Sequence, residues 1–226
     1  MMYSADTMIK PVPLGFVTAY IVKQNGIILI DAGIPGSEEI ILGTLKGLGF
    51  KPPDVSLIII THGHQDHAGS AAALQEETGA PIICHSADAG YLENGKQGRL
   101  KPCSIVGYFL KFFFNRKKLS VFPPVHPDIL IESPYDLRPY GISGMIVPTP
   151  GHTKGSVSIV LNSGERFIGD LIFPKIPSGK PGLPFWAEKP ELIMDSIRNI
   201  CDSTCTRIYP GHGGPYTYYD LYDLMS

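Results

Sequence analysis

Four side chains able to bind a metal ion fall within six positions, in His62-Gly63-His64-Gln65-Asp66-His67. They follow a largely apolar run at 55–60, and such a run ended by a turn reads as a buried strand. A strand hands its last residue to a sheet edge, where Gly63 lets the chain turn tightly. Imidazole nitrogens and carboxylate oxygens suit a borderline cation such as zinc, and the alternate spacing lets His62 and His64 reach one ion together. Asp66 and His67 point elsewhere, toward a second ion or the work of positioning a water. The bland alternative is a polar loop that caps the next helix, but exposed loops rarely pack three His and one Asp so densely.

The same arrangement recurs further along. An apolar strand, a glycine-containing turn and a metal-capable side chain come together at Pro150-Gly151-His152, at Gly169-Asp170 and at Pro210-Gly211-His212. Alone, His152 or His212 would be an ordinary loop histidine. Beside the first cluster they read as ligands converging on one rim of a sheet. A ligand set scattered through the chain fits an open, catalytic site better than a structural zinc, which uses closely spaced cysteines. His85 and His126 fall outside the pattern and read as structural or surface residues.

Strand and helix signals alternate between these points. Apolar runs at 16–22 and 27–30 flank Gln24-Asn25-Gly26, a strong hairpin signal. Helices are expected at 37–48, with Ser37 as cap and Ile40, Ile41, Leu45 and Leu48 inward, at 68–78 ended by Gly79, and at 188–202. Short strands are expected at 82–83, 128–131, 142–148, 156–161, 166–168 and 207–209. The proline-bearing loop at 174–184 is ordered but not helical. Alternating strands and helices argue for a layered α/β fold.

The 226 residues suffice for one domain with a sizeable core. A net charge of −2 gives no general attraction to nucleic acid. Cys84, Cys103, Cys201 and Cys205 form no CxxC pair and read as free, buried thiols, which favours a reducing, cytoplasmic setting. No signal peptide is evident in the first ten residues, and no apolar run approaches a membrane span of about 20 residues.

His-x-His-x-Asp-His, then Gly-His, Gly-Asp and Gly-His in this order, resembles the metallo-β-lactamase superfamily, with the match spread from Asp31 to His212. The resemblance implies an αββα sandwich, two mixed sheets flanked by helices, formed by residues 1–226 as a single domain. It implies two metal ions, zinc with iron or manganese as alternatives. His62, His64 and His152 would hold one, Asp66, His67 and His212 the other, and Asp170 would bridge them. Asp31, in Asp31-Ala32-Gly33, matches an aspartate that braces the ligand loop. A hydroxide bridging the ions would attack a carbonyl, with Asp66 orienting it and carrying its proton. An intact bridging aspartate points to the glyoxalase II-like and lactonase-like branches, and true β-lactamases lack it. With only residues 213–226 after His212, the glutathione-gripping domain of glyoxalase II is not expected, and Phe173 stands where lactonases carry a tyrosine.

A Phe-rich stretch within 94–127 reads as a lid-like insertion. Phe109 and Phe113 of this stretch, with Phe173, Phe185 and Trp186, suggest a hydrophobic pocket for an acyl group. Core packing and a homodimer contact are the other uses of such rings. The expected activity is therefore hydrolysis of a small ester, lactone or thioester. An iron-dependent persulfide dioxygenase-like oxidoreductase and a β-lactam hydrolase are the competing readings.

Overall fold

The computed structural model describes residues 7–98, 101–103, 107–108 and 121–225. Phe109, Phe113 and much of the 94–127 stretch lie outside them.

Successive residues of a strand face opposite ways, and this alternation divides the apolar side chains among three cores. The first sheet contains β1 (Met8–Pro13), β2 (Thr18–Lys23), β3 (Ile27–Ile30), β4 (Val55–Ile59), β5 (Ile82–His85) and β6 (Ile129–Ile131), paired in that order. On β2 and β3, Ala19, Ile21, Ile27 and Leu29 turn to one side, where they pack with α1 (Glu38–Gly47), α3 (Ala71–Thr78) and α4 (Ser86–Glu93). A one-turn helix, α2 (Gln65–Ala68), precedes α3. Tyr20, Val22, Ile28 and Ile30 turn to the other side and meet the second sheet through Ile146, Ile159 and Phe167.

That second sheet contains β7 (Tyr135–Asp136), β8 (Gly144–Pro148), β9 (Val157–Leu161), β10 (Glu165–Gly169) and, after the small hairpin β11 (Phe173–Pro174) and β12 (Pro181–Gly182), β13 (Arg207–Pro210). Its outer face carries Ile168, which packs with Ile193, Ile197 and Ile200 of α5 (Pro190–Ile200) and Leu221 of α6 (Tyr218–Met225). Helices, sheet, sheet, helices: the fold is an αββα sandwich. Burying an Ile or Leu stabilises by about 1.5–3 kcal/mol, so the fully buried Ile21, Ile28, Leu29, Ile58 and Ile59 hold the layers together.

Both sheets are mixed, and strand direction places the site. β3, β4, β5 and β6 are parallel. β8 and β10 each run antiparallel to β9, and β13 is parallel to β10. The chain therefore leaves β8, β10 and β13 at one end of the sheet. The two sheets are tied at this rim by Val157 N–H to Thr61 C=O, 2.9 Å, and Thr18 N–H to Gly211 C=O, 2.9 Å.

Several local expectations are corrected. In α1 the buried residues are Ile41, Leu42 and Leu45, while Ile40 is 53% exposed. Ser37 makes no side-chain cap; its N–H donates to the Ser70 hydroxyl at 2.9 Å. The helix expected at 68–78 is broken at Gly69 and Ser70, because Gly69 donates to Gly33 C=O at 2.8 Å and lies so close to Pro35 that a Cβ would fall 2.6 Å from its nitrogen. β1 is an unforeseen strand whose Pro11 and Pro13 are tolerable because it lies at the sheet edge. Helices α4 and α6 are unforeseen as well. The four cysteines are free as expected, but Cys103 is exposed.

Candidate metal centre

β4 runs into His62 and His64, β8 into His152, β10 into Asp170 and β13 into His212. Gly169 N-terminal to Asp170 and Gly211 N-terminal to His212 lie against each other, Gly211 N–H donating to Gly169 C=O at 2.8 Å. Nδ1 of His64 lies 3.1 Å from Nε2 of His62 and 3.0 Å from Nε2 of His152. A second group forms where Nε2 of His67 and Nε2 of His212 approach Oδ2 of Asp66, at 3.8 and 3.3 Å. Asp170 stands between the groups. Its Oδ2 is 3.4 Å from His152 and 3.3 Å from His212, and its Oδ1 is 3.2 Å from His67. The donor atoms of His62, His64 and His152, and those of Asp66, His67 and His212, each lie within 4.8 Å of one another.

The far side of most rings is committed. Nδ1 of His152 faces Trp186 C=O at 2.9 Å, Nδ1 of His212 faces Phe16 C=O at 2.7 Å, and Nδ1 of His67 faces the Asp31 carboxylate at 2.8 Å. Nδ1 of His62 faces the Thr61 hydroxyl at 3.1 Å, which in turn donates to Asp31 at 2.9 Å. Carbonyl and carboxylate acceptors require N–H at these Nδ1 positions, which leaves the Nε2 lone pairs for the centre.

Electrostatics divide the histidines. Burial pushes His64 and His152 down to about 4 and His62 well below its usual range, so these three are neutral and ligand-ready. Burial acts the same way on His67 and His212, but Asp170 and neighbouring carboxylates outweigh it. They hold His67 well above its usual value and His212 up at about 10. Asp66 is held down at about 2, its burial outweighed by His67 and His212. The carboxylates thus favour the charged form of both rings. Yet Nε2 of His67 and Oδ1 of Asp170, although 3.2 Å apart, do not meet in hydrogen-bond geometry, and both are buried without another hydrogen-bond partner. Buried polar atoms normally find one, and the donor set of imidazoles and carboxylates fits divalent cations at this point.

Above the centre lies a predominantly apolar cavity of about 780 Å³. Phe173, Phe185 and Trp186, all read from the sequence as pocket residues, form part of its wall, with Phe16, Ile34 and Gln97, which sequence reasoning missed. The Phe173 ring stacks on His212 with centroids 4.5 Å apart. Asp88 was also missed: it is buried, and accepts N–H bonds from Gly63 and Gly155. Burial pushes its carboxyl upward although these bonds oppose the shift. Nothing in a lone aspartate on a weakly amphipathic helix marks it in sequence. His85 and His126 stay outside, His85 accepting Ala87 N–H at the start of α4 and His126 pairing with Glu93.

The metallo-beta-lactamase superfamily profile matches residues 12–212, from β1 through the last histidine of the centre. This chain belongs to the metallo-beta-lactamase superfamily. Among superfamily relatives, a probable metallo-hydrolase of Methanocaldococcus jannaschii is 31% identical over 199 residues, covering 86% of each chain. A probable metallo-hydrolase of Bacillus subtilis is 28% identical over 216 residues, covering 86% of this chain and 78% of its own. Among solved structures, a subclass B3 metallo-beta-lactamase from a soil metagenome library superposes with a TM-score of 0.67 at 26% identity, covering 93% of this chain and 78% of that one. The B3 metallo-beta-lactamase BLEG-1 reaches a TM-score of 0.71 over 97% of this chain and all of its own, at 22% identity, a likeness of fold. The superfamily and the His/Asp cluster together indicate divalent-metal binding. No helix among the described residues is long and apolar enough to cross a membrane.

Proposed function

We propose that this chain is a dinuclear zinc-dependent hydrolase of a small ester, lactone or thioester bearing an apolar acyl group. One observation carries the reading: the Asp170 carboxylate lies between the His62–His64–His152 and Asp66–His67–His212 groups, on the wall of an apolar cavity. Two divalent cations held there would lower the pKa of a water between them and polarise a substrate carbonyl. The chain supplies the rest. Asp66, its side chain 23% exposed, can accept the proton of the attacking water and return it to the leaving group. Phe16, Phe173, Phe185 and Trp186 bury the acyl group and exclude water, at roughly 25 cal/mol per Å² of apolar surface covered. The intact Asp170 supports the glyoxalase II-like and lactonase-like branches.

The test is hydrolysis by the zinc-reconstituted protein of long- and short-chain acyl lactones, acyl-glutathione thioesters and a cephalosporin. Preference for a long-chain lactone or thioester is expected. A cephalosporin as the best substrate would replace the assignment with β-lactam hydrolysis, and silence across the panel with two ions bound would overturn it.

A further inference from the structure

The first trio of donors is assembled from two loops that belong to different sheets. His62 and His64 follow β4 and His152 follows β8, yet their nitrogens lie 3.0–3.1 Å apart. We propose that Asp88 is the positioning residue that sets these two loops in register, and so holds the first metal site together. Its Oδ2 accepts the N–H of Gly63, between His62 and His64, at 2.9 Å, and the hydroxyl of Thr153, next to His152, at 2.7 Å. Its Oδ1 accepts the N–H of Gly155 at 3.0 Å. A single carboxylate, 1% exposed, is thereby clamped on both loops at once.

The surrounding residues are shaped for that clamp. A Cβ at Gly155 would fall 2.5 Å from Oδ1 of Asp88, and a Cβ at Gly63 would fall 2.8 Å from Cβ of Tyr91, one turn further along α4. Both loops need glycine so that α4 can approach. Tyr91 adds a second link: its hydroxyl donates to Glu188 at 2.8 Å, and Glu188 N–H donates to His152 C=O at 2.9 Å. The hydrogen bonds Asp88 accepts from Gly63, Thr153 and Gly155 all fall on the two loops of the first trio. The second site's His67 and His212 are oriented by Asp31, which also reaches His62 through Thr61, and by Phe16 C=O. A carboxylate placed only for packing would serve both sites alike; one that registers two particular loops serves one.

The inference rests on the dinuclear reading, and the test separates the two. The full chain is titrated with Co²⁺ and followed by its visible d–d absorption, with thermal unfolding of the metal-free protein as the folding control. Wild type should take up two ions. Asp88→Asn, which keeps the shape but offers an NH₂ to one of the loop donors, should bind one ion about 10–100-fold more weakly and the other normally. In a His212→Ala background, where only the first trio is whole, Asp88→Asn should weaken the remaining ion by the same factor. Thr153→Val should shift the same site in the same direction, and Thr153→Ser, which keeps the hydroxyl, should restore it. If Asp88→Asn does not fold, the Thr153 pair decides. Equal weakening of both ions, or no weakening of either, would overturn the proposal. A wild type that binds a single ion would remove the dinuclear reading, and the Asp88 role would then stand or fall on whether that ion is weakened.

Discussion

Oδ2 of Asp31 lies 2.8 Å from Nδ1 of His67, and this contact aims the opposite ring nitrogen at Asp170, 3.2 Å away. The same carboxylate takes the Thr61 N–H at 2.8 Å. Asp31 is the described non-glycine residue with a positive φ, 63°, a conformation that costs roughly 1 kcal/mol or more and persists where surroundings enforce it. Asp31→Ala should lose those bonds, lower stability by about 1–3 kcal/mol and weaken metal binding by about 10–100-fold. Chemical denaturation and metal analysis check both. Full metal content in the variant would contradict the bracing role.

Asp170 is the side chain shared by both donor groups, so its loss should be felt twice. Asp170→Ala is expected to leave less than half the wild-type metal and to lower kcat by about 100-fold or more, in line with removal of an electrostatic stabiliser. Elemental analysis beside kinetics at saturating zinc distinguishes weak binding from slow chemistry. Retention of two tightly held ions would argue against a bridging place for this carboxylate.

Gly211 has no room for a side chain. A Cβ there would fall 2.5 Å from Oδ1 of Asp170 and 2.5 Å from Cε1 of His67. Gly211→Ala should displace these groups and cut activity by about 10-fold or more, since small misplacements of reacting groups are costly. The fold should survive, because the strain falls at the rim and not within the three cores. Circular dichroism and activity, measured together, would show the split.

Metal uptake should release protons. In the metal-free chain His212 is held at about 10 and His67 is shifted the same way by Asp170 and Asp31, so His212 is protonated at pH 7–8 and must give up a proton to bind a cation. Affinity should rise with pH, and calorimetry in buffers of different ionisation enthalpy should show proton release on binding. The sign for stability is opposite. Without metal, the raised His212 contributes stability fully below about pH 6.5 and loses it as pH rises through about 10. Uptake that is independent of pH between 6.5 and 9 would contradict this picture.

The cavity wall should govern chain-length preference. Phe185 packs edge-on to Phe173 at 5.8 Å and to Trp186 at 5.9 Å. Phe185→Ala should raise KM for a long-chain acyl substrate by about 10-fold, as expected for losing 1–2 kcal/mol of apolar contact, and leave short-chain substrates nearly unaffected. An equal effect on both would place Phe185 outside the acyl site.

The strand–turn–ligand pattern points to the seven candidate donors in the sequence, and alternating strands and helices to a layered α/β fold; the αββα order comes with the family resemblance. The first two depend on local rules: alternation along a strand, and glycine where the chain turns. His62, His64 and His67 could be assigned together because they are neighbours in the chain, and His152, Asp170 and His212 because they repeat the pattern. What only the tertiary structure decided was the partner of each donor. Trp186 and Phe16 orient His152 and His212 through backbone carbonyls, a group every residue carries, so no side-chain type announces it. Asp88 reaches Gly63 and Thr153 across 25 and 65 residues, a contact created where α4 meets loops that follow strands of different sheets. β1 was hidden for a related reason, since its prolines weaken the local strand signal and only its place at the sheet edge makes them acceptable. Local chemistry is written residue by residue; the acceptors that hold it in place exist only once distant strands share a rim.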